Sequence, residues 1–128
     1  MKLPNMLVVM SACQSALADD KNERNTAELN RLLKSSYKYG PATVCYKDQL
    51  EDSFVVQADD FRDIGHLVEL AARFKQESIL IVDSRNKAFL YILETKEMQQ
   101  LGPMFQTGRI PESAEAFTFF NGLYYYTV

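Results

Sequence analysis

Apolar and polar positions alternate along this chain with two different periods, and the changes of period mark its elements. Met6 to Ala12 is an apolar, β-branched run that predicts a strand. Thr26 to Tyr37 then places Ala27, Leu29, Leu32 and Leu33 at helical spacing, after a charged lead-in from Asp19 to Arg24. Asn25 and Thr26 are the expected N-cap residues of that helix. Tyr39-Gly40-Pro41 ends it, with Gly40 as a left-handed C-cap and Pro41 blocking continuation. Ala42 to Tyr46 and Phe54 to Val56 predict strands joined by a polar turn from Lys47 to Glu51. The order then repeats. Ile64, Leu67, Val68, Leu70, Ala71 and Phe74 mark a second helix, capped by Asp59 or Asp60. Ser78 to Val82 and Ala88 to Leu93 predict strands around a turn at Asp83-Ser84-Arg85-Asn86. Together these elements predict an α+β fold with the ferredoxin-like βαββαβ order. Such a sandwich covers one sheet face with helices and leaves the other bare. A bare apolar face calls for a partner, so a site between subunits is expected.

Beyond Leu93 the pattern weakens. Glu94 to Gln100 predicts a short helical or irregular stretch, broken at Leu101-Gly102-Pro103. Met104 to Ile110 reads as a loop or short strand closed by Pro111. Phe117 to Phe120 and Leu123 to Val128 predict a hairpin around Asn121-Gly122, a type I′ turn signal, and so a C-terminal β extension. Tyr124, Tyr125 and Tyr126 are consecutive and must alternate faces, in sheet packing or an oligomer contact.

With 128 residues the chain is expected to fold as one domain spanning 1–128. Its 47% hydrophobic content argues against intrinsic disorder. A net charge of −3 without a Lys/Arg cluster disfavours nucleic-acid binding but would not repel a small cation. Cys13 and Cys45 form no CxxC pair, and each lies in or beside a strand as a reduced thiol, which points to the cytoplasm. Lys2, the apolar stretch Met6 to Cys13, and Ala16-Leu17-Ala18 before Asp19 imitate a secretory signal. Pro4 and Asn5 interrupt that pattern, and cleavage would remove the first strand. No apolar stretch is long enough to span a bilayer, so no membrane partner is expected.

Missing motifs narrow the chemistry. His66 is the sole histidine and falls on a helix, which leaves no cluster for a metal and no base for a Ser/His/Asp triad. The five glycines are scattered, with neither a Walker loop nor GxGxxG. Any reaction must need little beyond positioning and a polar group or two.

A series of segments, none specific alone, resembles the phage-encoded enzymes that degrade S-adenosylmethionine (SAM), termed SAM hydrolases or SAM lyases. The series runs Leu7-Val8-Val9-Met10-Ser11-Ala12, Tyr39-Gly40, Cys45-Tyr46 and Glu51-Asp52-Ser53-Phe54-Val55-Val56. It continues through Leu70-Ala71-Ala72 to Gln76, Ile79-Leu80-Ile81-Val82, Phe105-Gln106, Phe117-Thr118 and Tyr126-Thr127-Val128. The resemblance implies a GlnB-like homotrimer with SAM sites between subunits, in the cytoplasm of an infected bacterium, countering methyl-donor-dependent restriction. It implies no cofactor and no metal. It also implies catalytic roles for a Glu opening the third strand and a Tyr before it, here Glu51 and Tyr46. The Tyr-to-Glu spacing is shorter than the family's, which leaves Tyr37 and Tyr39 as alternatives. Ser11, Ala12 and Cys13, with Gln14 after them, and the Phe105-Gln106 segment match stretches expected near the substrate.

The implied lyase reaction fits the sparse inventory. The substrate's own carboxylate attacks its γ-carbon, and a neutral thioether leaves without a general acid. The products are methylthioadenosine and homoserine lactone. The protein need only hold a near-attack fold in a dry site. A carboxylate against the sulfonium would favour the ground state, so Glu51 is expected to anchor the ammonium or ribose hydroxyls instead. In a hydrolase Glu51 would be a general base on water. The alternative is a non-catalytic GlnB-like trimer that binds a metabolite, although Lys47 to Leu50 leaves no room for a long signalling loop.

Overall fold

The computed structural model describes residues 6–14, 16–46, 49–112 and 114–127. Lys2, Pro4 and Asn5 of the signal-like N-terminus, Lys47 of the expected turn, and Val128 lie outside the described residues. In chain order the elements are β1 (Met6–Met10), α1 (Asp19–Lys34), β2 (Tyr39–Tyr46), β3 (Gln49–Ala58), α2 (Phe61–Arg73) and β4 (Ser78–Asp83). Five strands follow: β5 (Lys87–Ile92), β6 (Glu97–Pro103), β7 (Phe105–Thr107), β8 (Ala116–Phe120) and β9 (Leu123–Tyr126). All nine strands join one sheet in the order β6-β5-β4-β1-β3-β2-β8-β9-β7, with every pairing antiparallel.

Period-2 alternation sends successive residues of each strand to opposite faces. On one face Val8, Met10, Phe54 and Val56 meet Leu29 and Leu33 of α1 and Leu67, Leu70 and Ala71 of α2. Each fully buried Leu contributes roughly 1.5–3 kcal/mol, so this layer fixes the helices on the sheet. The other face is not bare. Val9, Ala42 and Val55 pack there with Leu7, Val44, Leu80 and Phe120. Leu7 and Leu80 also join a second cluster of Val82, Ala88, Met104, Leu101 and Tyr125. Tyr125 stands on β9 and Ala88 on β5, near opposite ends of the strand order, so the sheet curls until its two ends share a core.

The expected ferredoxin-like βαββαβ sandwich, GlnB-like with a C-terminal extension, is therefore corrected to a nearly closed, barrel-like sheet of nine strands with two helices. The reason is local and covalent. β6 and β7 are the two edge strands, yet only Met104 separates them in the chain, so the edges must meet there. Asn86 pins that corner: its carbonyl accepts from the Met104 N–H at 2.8 Å and its side-chain amide donates to the Met104 carbonyl at 2.6 Å. The face expected to need a partner is covered by the chain's own strands.

Smaller corrections follow the same physics. α1 starts at Asp19 rather than near Thr26, with Ala18 at the N-cap and Asp19 and Asp20 in its first turn. Gly40 lies inside β2, where it makes room for the Phe120 ring, rather than capping a helix. Glu97–Pro103 is a strand and not a helical stretch. Asp60 does cap α2, accepting from the Asp63 N–H, and Asp63 in turn accepts from the Asp59 N–H. Asn121 and Gly122 both take positive φ, as a type I′ turn requires. Among the described residues no helix is long and apolar enough to cross a membrane.

Candidate functional site

Polar residues break the apolar inner face at one end of the curled sheet. Along β3, Glu51 and Ser53 share the face of Val55. Ser11, two residues beyond Val9, continues the inner side of β1 just past the Met10–Phe54 pair that ends the ladder. Ser11, Ser53 and Thr118 are the buried polar side chains among the described residues, and all three fall on this face. In one row across the sheet Glu51 pairs with Val44, Val44 with Thr118, Thr118 with Tyr125, and Tyr125 with Gln106.

Ser11 and Glu51 come together. The Ser11 hydroxyl donates to the Asp52 carbonyl at 2.8 Å and accepts from the Cys13 N–H at 2.9 Å, and it stands close enough to the Glu51 carboxyl to lower its pKa. Burial pushes the Glu51 carboxyl above its ordinary value; the Ser11 hydroxyl pulls it back, and the neighbouring Asp52 charge adds to the rise. Ser53 donates to the main-chain carbonyl of Glu51 at 3.3 Å. The Cys13 thiol lies 3.6 Å from the Thr26 hydroxyl and 3.8 Å from the Asp52 carbonyl, on the same loop as Ser11. Ala12 is fully buried in the helix-side core, so it offers the site only its backbone.

Tyr46 stands opposite Gln49, one inner-face step from the Val44–Glu51 pair, and is 53% exposed. A diagonal neighbour of this kind lies about 7–8 Å away, within reach of an aromatic side chain. Tyr37 and Tyr39 are engaged on the helix side. The Tyr37 hydroxyl is 2.7 Å from His66 Nδ1, and the two rings stack. Burial raises the Tyr37 phenol pKa, and the charges of Asp63 and Asp60 raise it further. Tyr39 donates to Asn30 Oδ1 at 2.6 Å and packs edge-on against Phe54. Of the three candidate tyrosines, Tyr46 is the one that shares the inner face with Glu51.

Phe105 and Gln106 do not join this cluster along the sheet. They sit on β7, four strands from β3, which is about 19 Å of sheet at ~4.8 Å per strand. Phe105 packs against Tyr126 on the outer face, while Gln106 continues the inner-face row. Sequence reasoning missed Ser53 and Thr118 as site residues. Their signal was available: each is a small hydroxyl where an alternating apolar face called for a hydrophobe. Among the described residues no three His, Cys, Asp or Glu side chains converge as metal ligands would.

The arrangement is a half-buried carboxylate held near hydroxyl groups at the end of a closed apolar core. It can bind a cation or accept hydrogen bonds from sugar hydroxyls. Comparison with the curated proteins found no match. A family model does match, over residues 8–128, taking in every residue of the cluster just described. The chain belongs to the S-adenosylmethionine lyase family.

Proposed function

We propose that this chain cleaves S-adenosylmethionine to methylthioadenosine and L-homoserine lactone by attack of the substrate's own carboxylate on its γ-carbon. The observation that carries the reading is Glu51, half-buried and beside Ser11, in a chain that matches the lyase family from residue 8 to 128. In this reading Glu51 anchors the substrate ammonium or ribose hydroxyls, and Tyr46 hydrogen-bonds beside it. Ser11, Ala12 and Cys13 form one wall through backbone and hydroxyl groups. Glu51 stays off the sulfonium, because charge is lost on the way to the transition state and a carboxylate there would favour the ground state. Exclusion of water strengthens the attraction between the reacting charges and protects the lactone.

The assembly proposed is a homotrimer with sites between subunits. In that assembly Phe105, exposed on the outer face of β7, is offered to a neighbouring copy. The proposed setting is the cytoplasm of an infected bacterium, where loss of the methyl donor disarms restriction.

The test is proton NMR of the purified protein incubated with S-adenosylmethionine. Methylthioadenosine with homoserine lactone appearing first supports the lyase. Homoserine without a lactone intermediate makes it a hydrolase with Glu51 as base. Binding without turnover overturns the enzymatic reading. Light scattering checks the assembly against three copies of a 14.7 kDa chain.

A further inference from the structure

We infer that Asn22 and Gln76 are positioning residues that hold the Ser11–Gln14 segment against the Glu51 end of β3. The inference rests on the site reading above. Residues 11–14 lie beyond the last ladder pair of β1, so their backbone groups need partners other than a strand. Side chains from both helical units provide them. Asn22 of α1 accepts from the Gln14 N–H at 2.9 Å and donates to the Gln14 carbonyl at 2.9 Å. It saturates both main-chain groups of one residue, as a neighbouring strand would. A side-chain amide presents a donor and an acceptor side by side, as a peptide group does. Gln76, just past α2, donates to the Cys13 carbonyl at 2.8 Å across 63 residues of chain.

Both ties act on the segment that carries Ser11, and neither residue touches Glu51 in the contacts that define the site. Ser11 is buried, and its hydroxyl ties the loop to the Asp52 carbonyl beside Glu51. Releasing either tie lets the loop, and Ser11 with it, drift from the carboxylate. A displacement of 1 Å costs on the order of 10²-fold where geometry limits the rate.

The experiment compares S11A, N22L, N22D, Q76M and the double variant S11A/N22L. It reads kcat/KM for S-adenosylmethionine and hydrogen exchange of the amides of residues 11–14. N22L and Q76M are expected to lower kcat/KM at least ~tenfold and to speed exchange in the loop while the β1–β3 ladder stays protected. N22D keeps the acceptor for the Gln14 N–H and should recover part of the loss. Adding N22L to S11A should cost little more than S11A alone, because both act through the same hydroxyl. Additive losses, or unchanged loop exchange in N22L, overturn the proposal. If N22L does not fold, Q76M carries the same outcomes. Full turnover in S11A and E51Q would overturn the site reading and the proposal with it. Loss in those two with full turnover in N22L and Q76M overturns the proposal alone.

Discussion

Glu51 is the residue on which stability and function pull in opposite directions. Its carboxyl is raised above the ordinary value by burial, against the Ser11 hydroxyl and with the Asp52 charge. A raised carboxyl stabilises the fold while protonated; that contribution is complete below the unfolded value of ~4.3 and is lost as pH rises through the folded value. E51Q is neutral throughout. It should melt above the parent at pH 7, by no more than ~1 kcal/mol at a half-exposed site, with the gain vanishing below about pH 4. Its turnover should fall, because a charged hydrogen bond is worth ~1.5–3 kcal/mol, or roughly 10- to 100-fold in kcat/KM. Thermal melts at several pH values beside the NMR assay check both signs. A variant less stable at pH 7 would contradict the electrostatic account. The resemblance put Glu51 and Ser11 forward, but their proximity could not be read from it, because they are 40 positions apart in sequence and meet only through the β1–β3 pairing. Ser53 and Thr118 were passed over because the resemblance gave neither a role, although each breaks an apolar alternation.

At the scale of elements, two backbone positions make sharp predictions. α2 ends with Lys75 at φ 56, where its N–H donates to the Ala72 carbonyl and the Gln76 N–H donates to the Ala71 carbonyl. This left-handed cap favours glycine, so K75G should stabilise by ~1 kcal/mol, read by denaturant midpoint. At Gly40 an added Cβ would lie 3.0 Å from the Phe120 ring edge, so G40A should destabilise by roughly 1–3 kcal/mol on the same assay. Strands buried on both faces, β1 and β4 among them, were readable from their apolar runs. α1 and β6 show where that signal fails. In the first two turns of α1, from Asp19 to Thr26, the half-buried positions Asn22, Asn25 and Thr26 are polar, so no apolar stripe marks them. β6 opens with four exposed residues, Glu97 to Gln100, on a sheet edge; the unpaired groups of β5 recruit it, and its own side chains do not.

Closure of the sheet belongs to the whole molecule and was invisible in any one segment. Hydrophobic periodicity reports that a strand has a buried face; it does not report what buries it. An inner face covered by a partner subunit and one covered by β5–β9 of the same chain demand the same residues at Val9, Ala42 and Val55. The deciding feature is the single residue between the two edge strands. Met104 is buried between Val82, Ala88, Leu101 and Tyr125 and tied twice to Asn86. If the curled sheet is one cooperative unit, as the expectation of a single domain requires, M104A should weaken all of it. The cavity should cost ~2–5 kcal/mol. The chain has seven tyrosines and no tryptophan, and three of the tyrosines lie on β9, so tyrosine fluorescence weights the far end of the sheet. Far-UV circular dichroism weights the two helices. The two signals should shift together to a lower midpoint in M104A and remain coincident. An early fluorescence transition with the helices intact would mean that β7–β9 peel away alone. The core would then have two independent parts.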